Sequence, residues 1–481
     1  MDESRCKLFK DPVHGYVPVP KQFCDEFVDT PIFQRLRHIE QTSMRPLYPG
    51  AHHDRFVHSL GVFHLGRAAV SHLRRPDGYV DVADWEKLKR TFEVACLMHD
   101  CGHAPFSHTC EHFYNHSDTE GARKRAEEWL KTLIDDLFRA DFGRMAAKPA
   151  AHETFSAALL ITKYKEQVGR VQADLYLAAR MITGCRFAIP KDNFEKIANC
   201  LIDLLNGTAI DVDKLDYIIR DTWASGVKNT AVDVDRLLSA LMIGIAPLGP
   251  RLCFHKSALS VIQSVVDARN YLYEWIYNHH TVLYYADLLD KALKQLGKDL
   301  APDYDPDHFW EAVFSVRPFE KPTAINSGPT VYLPTDGDVM YLLKVQAENP
   351  KYKMVPEILS HHPERVPLWK TYGEYKRIID RNEIPDIRIT ETLKAQIPEI
   401  LAEFCTGYDK AEFLVIDAKS RHASIDRGDI MVEMGEETPV SYTKILGEQE
   451  NRSGRFFYVF VPRDLREQTA ELCNRVCSIF A

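Results

Sequence analysis

The residues most able to do chemistry in this chain are a histidine, an adjacent His–Asp pair and a distant aspartate. They are His58, His99, Asp100 and Asp213. The His–Asp pair directly follows the apolar run Val94–Met98, which is expected to be buried. Because an unpaired buried carboxylate is costly, Asp100 requires a partner or a metal ion. The mixed nitrogen and oxygen set suits a divalent transition metal with positions left open for water or a phosphoryl oxygen.

Further histidines follow the His–Asp pair within the segment HDCGHAPFSH. An isolated His–Asp dipeptide is a weak signal, because a histidine in a helix is more often packed or hydrogen-bonded than a ligand. Here His103 would share a helix face with His99, at the i, i+4 spacing, if the helix extended that far. Gly102 and Pro105 predict a turn that directs His108 back toward the same place. Histidines at this density are hard to explain by packing alone.

Polar side chains also cluster in the segment DVDKLDYIIRD. Asp213, Lys214, Tyr217 and Asp221 are spaced so that one face of a predicted helix carries them. The opposite face, expected to point into the core, carries Leu215, Ile218 and Ile219. A solvated face of salt bridges is an equally good interpretation of this helix on its own.

A stripe of aromatic and basic side chains is predicted on the long helical segment from Ser257 to Leu296. Arg269, Tyr273, Tyr277 and His280 follow the spacing i, i+4, i+8, i+11 and are types that bind phosphates and bases. An amphipathic tyrosine stripe covering the core is the competing interpretation. The cations suited to a polyphosphate, two of them with forked arginine donors, are Arg55, Lys214 and Arg269.

Composition places the chain among soluble globular enzymes. Its 481 residues can bury a large core, and its hydrophobic share of 45% and charged share of 27% are ordinary. Neither a transmembrane run nor an N-terminal signal region is expected from the sequence. A net charge of -9 disfavours a dedicated nucleic-acid binder but is compatible with a local basic pocket. The 11 cysteines include no Cys-x-x-Cys pair and are expected to be reduced thiols.

The order of elements predicts a mainly α protein with a smaller mixed α/β C-terminal lobe. Helical patterns dominate from about residue 29 to about residue 300, with helices predicted at Trp85–Met98 and Glu195–Leu205. Beyond that point the chain becomes rich in Pro, Asp and Gly, and strand-like runs occur at 412–417 and 455–462. We therefore predict a catalytic core over 1–300. The expected role of residues 301–481 is to pack into the core or to mediate oligomerisation.

Six segments, taken in order, resemble the HD-domain superfamily of metal-dependent phosphohydrolases. They are KLFKDPVHGYV, DTPIFQRLRHIEQ, YPGAHHDRFVHSLGV, HDCGHAPFSH, DVDKLDYIIRD and ARNYLYEWIYNHH, which together span about the first 300 residues. Within the superfamily they are similar to the deoxynucleoside triphosphate (dNTP) triphosphohydrolases, namely the bacterial dGTPases and the eukaryotic SAM-and-HD-domain dNTPase. We expect no SAM domain before the core, and the remainder resembles the family's C-terminal lobe only loosely.

The resemblance implies a role for each matching residue. The metal ligands would be His58, His99, Asp100 and Asp213. The acid–base group would be His103, His108 and His152, with Glu111 as the acidic partner of the catalytic His108. The triphosphate would be held by Arg55, Lys214 and Arg269. The sugar 3′-hydroxyl would be read by Gln41 and Asp221, Tyr217 would exclude ribose, and Tyr273 and Tyr277 complete the substrate pocket.

Regulation by a nucleotide bound between subunits is a further implication. The residues that match are Lys7, Asp29, Gln34 and Arg37. Helix capping and ordinary surface charge are an equally good interpretation of these four. The sequence departs from the family at Tyr273, Glu274, Asn278 and His280, so base preference and activator identity stay open.

The expected reaction is hydrolysis of a dNTP to a deoxynucleoside and inorganic triphosphate, serving dNTP pool control or defence against viruses or phage. The expected cofactor is Fe, Mn, Co, Ni or Zn in the histidine–aspartate site, with Mg joining through the triphosphate. A cytoplasmic homo-oligomer (dimer, tetramer or hexamer) is expected, or a nuclear one in a eukaryote, with no membrane or nucleic-acid partner. The alternatives are a 5′-nucleotidase or a phosphodiesterase for signalling nucleotides, both with an HD domain, and a non-catalytic nucleotide sensor.

Overall fold

The computed structural model describes most of the chain, and its architecture is mainly helical. The described residues are 5–76, 78–109, 121–227, 232–246, 249–299, 313, 319, 321–324, 330–381, 390–418, 428–435, 438–446 and 456–479. The predicted fold class, a helical core with a smaller mixed lobe, is confirmed.

The helices of eight or more residues are numbered here in chain order. They are α1 (Arg55–His72), α2 (Val82–Met98), α3 (Gly121–Leu133), α4 (Asp136–Arg144), α5 (Ala151–Lys163), α6 (Leu175–Thr183), α7 (Asn193–Leu205), α8 (Val212–Ser225), α9 (Leu259–Tyr271), α10 (His280–Asp299), α11 (Asp336–Val345), α12 (Tyr372–Arg381), α13 (Glu391–Phe404) and α14 (Thr469–Cys477). Shorter α-helices span Lys21–Phe23, Pro31–Gln34, Lys165–Arg170, Val234–Ser239, Met354–Ser360 and Tyr442–Leu446.

Small sheets accompany the helices. The strands are β1 (Cys6–Asp11), β2 (Gly15–Pro20), β3 (Leu241–Ala246), β4 (Gly249–His255), β5 (Thr323–Ala324), β6 (Thr330–Val331), β7 (Arg365–Pro367), β8 (Leu414–Ala418), β9 (Met431–Glu433), β10 (Val440–Ser441) and β11 (Phe456–Pro462). The β1–β2 hairpin and the β5–β6 pair stand alone, and the other sheets have the orders β10-β9-β4-β3 and β7-β11-β8. The predicted strands at 412–417 and 455–462 correspond to β8 and β11, whereas β3 and β4 interrupt a region predicted to be helical.

Two apolar clusters form the interior, and α10 contributes to both. Val282 and Leu289 on this helix belong to the larger cluster, and Tyr284 and Leu288 belong to the smaller one. The larger cluster also includes Val432 of β9, so the clusters interleave along the chain. The division of the chain at residue 300 therefore stays a proposal.

The long helical segment predicted from Ser257 to Leu296 consists of two helices. Between α9 and α10 lies a wider π-helical turn, Leu272–Tyr277. Among the helices that the structure describes, none is long and apolar enough to cross a membrane. No two of the described cysteines form a disulfide, as expected.

Candidate functional site

Capping aspartates start the two helices that carry the first and last predicted metal ligands. Asp54 caps α1 by accepting a hydrogen bond from the backbone N–H of Val57, and His58 follows in the same turn. Asp211 caps α8, so Asp213 lies in that helix's first turn. Since α1 and α8 pack against each other, these two first turns face one site.

Helix α2 delivers the His–Asp pair at its C-terminal end. The helix ends at Met98, after the run from Val94 in which every side chain is fully buried. His99 and Asp100 follow in a turn and are themselves buried. The apolar run therefore anchors the end of α2 in the core and holds the adjacent pair in place.

The four predicted metal ligands converge. His58 Nε2 lies 3.0 Å from Asp213 Oδ1 and 3.6 Å from Asp100 Oδ2. His99 Nε2 lies 3.4 Å from Asp100 Oδ1 and 3.6 Å from Asp213 Oδ1. Ligand bonds of about 2.1 Å place neighbouring donor atoms about 3 Å apart around one ion. The spacing of these atoms fits a single transition metal.

The outer nitrogen of each ligand histidine is held by an acceptor. His58 Nδ1 lies 2.7 Å from Asp216 Oδ2, and His99 Nδ1 lies 2.9 Å from the backbone oxygen of Cys96. With the proton on Nδ1, each ring directs an Nε2 lone pair inward, as in metal-binding histidines. His99 Nε2 is buried and has no hydrogen-bond partner among the described residues. The lone pair of His99 Nε2 is therefore available to bind a cation.

The charges around the site also favour a cation. Burial opposes protonation of His58, but its bonds to Asp213 and Asp216 and the charge of Asp100 raise the pKa to about 9. Burial likewise opposes ionisation of Asp100, yet the positive charges of His99, Arg55 and His58 hold the pKa of Asp100 below its usual value. The site thus stabilises positive charge at its centre.

The site opens to solvent on the side of Asp213, whose side chain is 35% exposed. The side chains of His58, His99 and Asp100 are at most 7% exposed.

The second histidine group forms beside the metal ligands through a turn. Because α2 ends at Met98, His103 does not share a helix face with His99 as the conditional prediction had it. His103 stacks on His152 of α5, with ring centroids 4.0 Å apart and planes 17° apart. His108 stands edge-on to both rings, at 5.0 and 5.3 Å. The structure therefore brings the three predicted acid–base histidines together, and Glu111 lies outside the described residues.

Stacking makes this group a poor site for a second ion. A metal lies in the plane of each imidazole that binds it, and two nearly parallel rings cannot both point lone pairs at one ion. Both ring nitrogens of His103 are buried without hydrogen-bond partners among the described residues. Burial and the nearby charge of Arg55 hold the pKa of His103 well below its usual value.

The loop between His103 and His108 is tightly constrained. A Cβ on Gly102 would lie 2.7 Å from the backbone nitrogen of Ser156, so glycine permits the close approach of α5. Phe106 and Ser107 have φ angles of 59° and 50°, which cost free energy in non-glycine residues. Asp336 of α11 holds the strained turn by accepting from the Phe106 N–H at 2.6 Å.

Arg55, a predicted triphosphate contact, is fully engaged by the protein. Its Nη1 donates to Asp100 Oδ2 at 2.7 Å, its Nε to Ser107 Oγ at 2.9 Å and its Nη2 to the Gln41 backbone oxygen at 3.0 Å. Its side chain is only 3% exposed. In this structure Arg55 therefore holds Asp100, a predicted metal ligand, in place, and contact with a triphosphate stays a prediction.

The other two predicted triphosphate cations are also occupied by protein groups. Lys214 donates to the Gly207 backbone oxygen at 2.7 Å and pairs with Asp211 Oδ2. Arg269 lies over the Tyr273 ring at 4.2 Å and hydrogen-bonds with Tyr217. A polyphosphate would have to exchange some of these bonds for its own.

A largely buried polar cluster of Gln41, His53, Asp221 and Tyr277 contains the residues expected to read the sugar. Asp221 accepts from His53 Nε2 at 2.7 Å on one oxygen and from the Tyr277 hydroxyl on the other. The backbone N–H of Gln41 donates to the backbone oxygen of His53 at 3.1 Å. The Gln41 Oε1 atom is buried and has no partner among the described residues. It is therefore free to meet a ligand donor.

The predicted stripe from Arg269 to His280 is only partly formed. The rings of Tyr273 and Tyr277 pack edge to face with centroids 5.1 Å apart, and Arg269 lies over the Tyr273 ring. The π-helical turn then changes the direction in which the following side chains point. His280 starts a new helix, and its ring centroid lies 4.1 Å from that of His279. His280 is therefore not part of the stripe, because the segment is not one continuous α-helix.

The predicted regulatory residues pair mainly with one another on the surface. Lys7 forms a 3.1 Å ion pair with Asp29, and both are about half exposed. Arg37 donates to Gln34 Oε1 at 2.8 Å and lies over the Phe56 ring at 3.5 Å. The geometry agrees with ordinary surface pairing as well as with nucleotide binding.

Sequence reasoning missed two groups that hold the site together. Asp216 was assigned no role, although it lies on the buried side of α8 and holds His58. His53 was passed over beside the conspicuous Arg55 and His58, although it holds Asp221. A charged residue at an otherwise apolar, core-facing helix position was the available signal for Asp216.

Comparisons with known proteins agree with this geometry. Residues 55–179 match the HD domain family. The chain is 26% identical over 373 residues to deoxynucleoside triphosphate triphosphohydrolase SAMHD1 of Gallus gallus, a match covering 76% of this chain and 56% of that protein. It is 27% identical over 319 residues to the uncharacterized protein YwfO of Bacillus subtilis, covering 64% of this chain and 60% of that protein.

The chain thus spans about half the length of the curated relatives it matches. A crystal structure of a phosphohydrolase from Bacteroides thetaiotaomicron, 20% identical, shares the fold with a TM-score of 0.64 over 95% of this chain and 100% of that one. Residues 55–179 therefore resemble the HD domain, and the resemblance to the HD-domain dNTP triphosphohydrolases expected from the sequence is confirmed.

Proposed function

We propose that this chain is a metal-dependent dNTP triphosphohydrolase, releasing a deoxynucleoside and inorganic triphosphate. The observation that carries the proposal lies on α8: Asp213 contacts the proposed metal-ligand histidines, and Asp221, two turns further along, belongs to the polar cluster with His53 and Gln41. One helix thus joins a hydrolytic centre to a polar cluster suited to a hydroxylated group. The relatives named as dNTP triphosphohydrolases support the same substrate class.

The metal would be held by His58, His99, Asp100 and Asp213. When bound, a divalent ion there supplies a water of lowered pKa and polarises a phosphoryl oxygen. Arg55 holds Asp100 in place. The His103–His152–His108 group lies beside the ligands, with His103 Nε2 3.7 Å from Asp100 Oδ1. His108, exposed at the rim of this group, is the candidate general acid for the 5′-oxygen leaving group.

The sugar would be selected by the polar cluster. Gln41 Oε1, which has no hydrogen-bond partner among the described residues, would accept a hydrogen bond from a 3′-hydroxyl, and Asp221 is linked to Gln41 through His53. Tyr217 is bonded to Arg269, which fixes its ring. A fixed ring would exclude the extra 2′-hydroxyl of a ribonucleotide through steric contact.

Product analysis tests this proposal. Purified protein is given each dNTP alone and in pairs, with Mn²⁺, Co²⁺ or Mg²⁺, and the phosphorus products are separated. Inorganic triphosphate in equal amount to deoxynucleoside is expected. Phosphate from nucleoside monophosphates, or cleavage of a cyclic or signalling nucleotide, would instead support the nucleotidase or phosphodiesterase. Binding without turnover under every metal would support the nucleotide sensor.

Activation by a nucleotide and assembly into an oligomer are a second part of the proposal. Lys7, Asp29, Gln34 and Arg37 form the proposed nucleotide-binding surface of a homo-oligomer. Gel filtration with and without each nucleotide is the test, and a nucleotide-dependent decrease in elution volume is expected. An unchanged volume with every nucleotide would contradict this part of the proposal alone.

A further inference from the structure

A buried network lies behind the metal ligand His58 and reaches the N-terminal hairpin. Asp216 accepts from His58 on Oδ2 at 2.7 Å, and its Oδ1 lies 2.6 Å from His14 Nε2. Arg220 donates to both oxygens, from Nε at 2.8 Å and from Nη2 at 3.0 Å. The Asp216 carboxylate is thus held by three different side chains.

The network continues into the turn between β1 and β2. Arg220 Nη1 donates to Asp11 Oδ2 at 2.8 Å. Asp11 Oδ1 accepts from the backbone N–H groups of Val13 and His14, each at 2.8 Å. The aspartate that pairs with Arg220 therefore also fixes the turn that presents His14. The side chains of Asp11, His14, Arg220 and Asp216 are all at most 8% exposed.

Helix α1 accommodates the network only because Gly61 has no side chain. A Cβ at this position would lie 1.9 Å from Asp216 Oδ1 and 2.4 Å from Arg220 Nη2. Buried ionic groups are a poor route to stability, because desolvation offsets much of their attraction. A glycine that admits such a cluster directly behind a metal-ligand histidine favours a positioning role.

We infer that His14 and Asp11 are positioning residues of the metal centre and that the hairpin is an integral part of it. They act through Asp216 and Arg220. Asp216 fixes the orientation of the His58 ring, and His14 and Arg220 fix Asp216. Groups behind a metal ligand set ring orientation and ligand basicity, and their loss commonly weakens metal binding about 10- to 100-fold. The inference rests on the metal assignment in the proposed function, but it does not depend on the substrate.

Metal affinity tests the inference without reference to turnover. Metal-stripped protein is titrated with Co²⁺, followed by its visible absorption, and with Mn²⁺. His14→Ala is expected to bind both ions at least about 10-fold more weakly and to change the Co²⁺ spectrum. His14→Gln keeps a donor and should recover most of the affinity. His64→Gln is the matched control, because its ring lies 5.2 Å from that of His14 and no hydrogen bond to Asp216 is seen among the described residues.

Wild-type affinity and an unchanged Co²⁺ spectrum in His14→Ala would overturn the inference, and so would an equal loss in His64→Gln. If His14→Ala does not fold, Asp11→Asn replaces it: it keeps the side-chain size, removes the charge facing Arg220 and is expected to lose Co²⁺ affinity in the same direction. Unchanged affinity in a folded Asp11→Asn protein would likewise refute the role. A chain that hydrolyses no dNTP but shows these losses would contradict the proposed function and support this inference.

Discussion

The proposed metal centre and the proposed regulatory surface were both expected from sequence motifs, but they differ in the hydrogen-bonding atoms that they leave without a partner. In the proposed metal centre, His58, His99 and Asp100 are buried, and His99 Nε2 has no hydrogen-bond partner among the described residues. On the regulatory surface, Lys7 and Asp29 are half exposed and pair with each other. The proposed metal centre therefore contains a buried atom whose missing bond a ligand would supply, whereas the charged groups of the proposed regulatory surface already pair with each other.

Between these two regions, a buried atom without a hydrogen-bond partner is therefore a stronger sign of ligand binding than residue type is. Exposed ion pairs contribute about 0–1 kcal/mol and form readily wherever opposite charges meet. A buried polar atom without a hydrogen-bond partner lowers the free energy of unfolding by about 1–3 kcal/mol. A bound ligand that supplies the missing partner offsets this cost. This reasoning ranks the effects expected from mutations in the two regions.

The largest effect is expected from Asp100→Ala. Asp100 contacts both ligand histidines, so its loss should remove the bound metal. Losing Lewis-acid assistance of several kcal/mol corresponds to a fall in turnover of about 10³-fold or more. Metal analysis and initial rates provide the measurement. Asp136→Ala, which removes a 98% exposed aspartate side chain, is the control and should keep both metal and rate. Full metal content in Asp100→Ala would refute the ligand assignment.

A smaller loss of a different kind is expected from His108→Ala. General acid catalysis contributes about 10²- to 10⁴-fold, so turnover should fall within that range while the metal stays bound. His72→Ala, an exposed histidine at the end of α1, serves as the control. Metal content and kcat are measured on the same preparations. If His108→Ala loses its metal as well, then His108 supports metal binding and is not only an acid.

The convergence of the four proposed metal ligands could be expected from the sequence because three of them lie in short segments with strong local signals. Val94–Met98 had to be buried, and the adjacent His99 and Asp100 had to follow it inside. Helix periodicity placed α2 and α7 within three residues of their observed starts. Local reasoning succeeds where the chain itself supplies the constraint.

Prediction failed where partners come from distant parts of the chain. The pairing of His14 with Asp216 joins residues 202 positions apart, which no local pattern could indicate. The π-helical turn that removes His280 from the stripe was equally invisible, because its residues are ordinary helix formers. Side-chain pairing in the folded state decides these cases.

A pH-dependent effect is expected at Asp336, which holds the strained turn before His108. Burial, helped by the negative charge of the Glu40 side chain, raises the pKa of the Asp336 carboxyl to about 7. Hydrogen bonds from the backbone N–H groups of Glu40 and Phe106 oppose this rise. The native state then retains a proton that the unfolded state releases near pH 4. The free energy of unfolding should therefore fall relative to Asp336→Asn as pH rises, by about 2 kcal/mol between about pH 5 and about pH 8. Parallel urea-unfolding results for the two proteins would contradict this.

The smallest effect is expected from Lys7→Ala on the proposed regulatory surface. Its exposed pair with Asp29 should change the free energy of unfolding by less than about 1 kcal/mol. Lys21→Ala breaks a similarly exposed pair with Asp25 and should cost about as much. If the surface binds a nucleotide, only Lys7→Ala will weaken a nucleotide-dependent change in elution volume, because a triphosphate would replace Asp29 as the partner of the amine. Equal behaviour of the two variants with nucleotide would show that the Lys7–Asp29 pair is ordinary surface charge, and the contrast with the metal centre would then be complete.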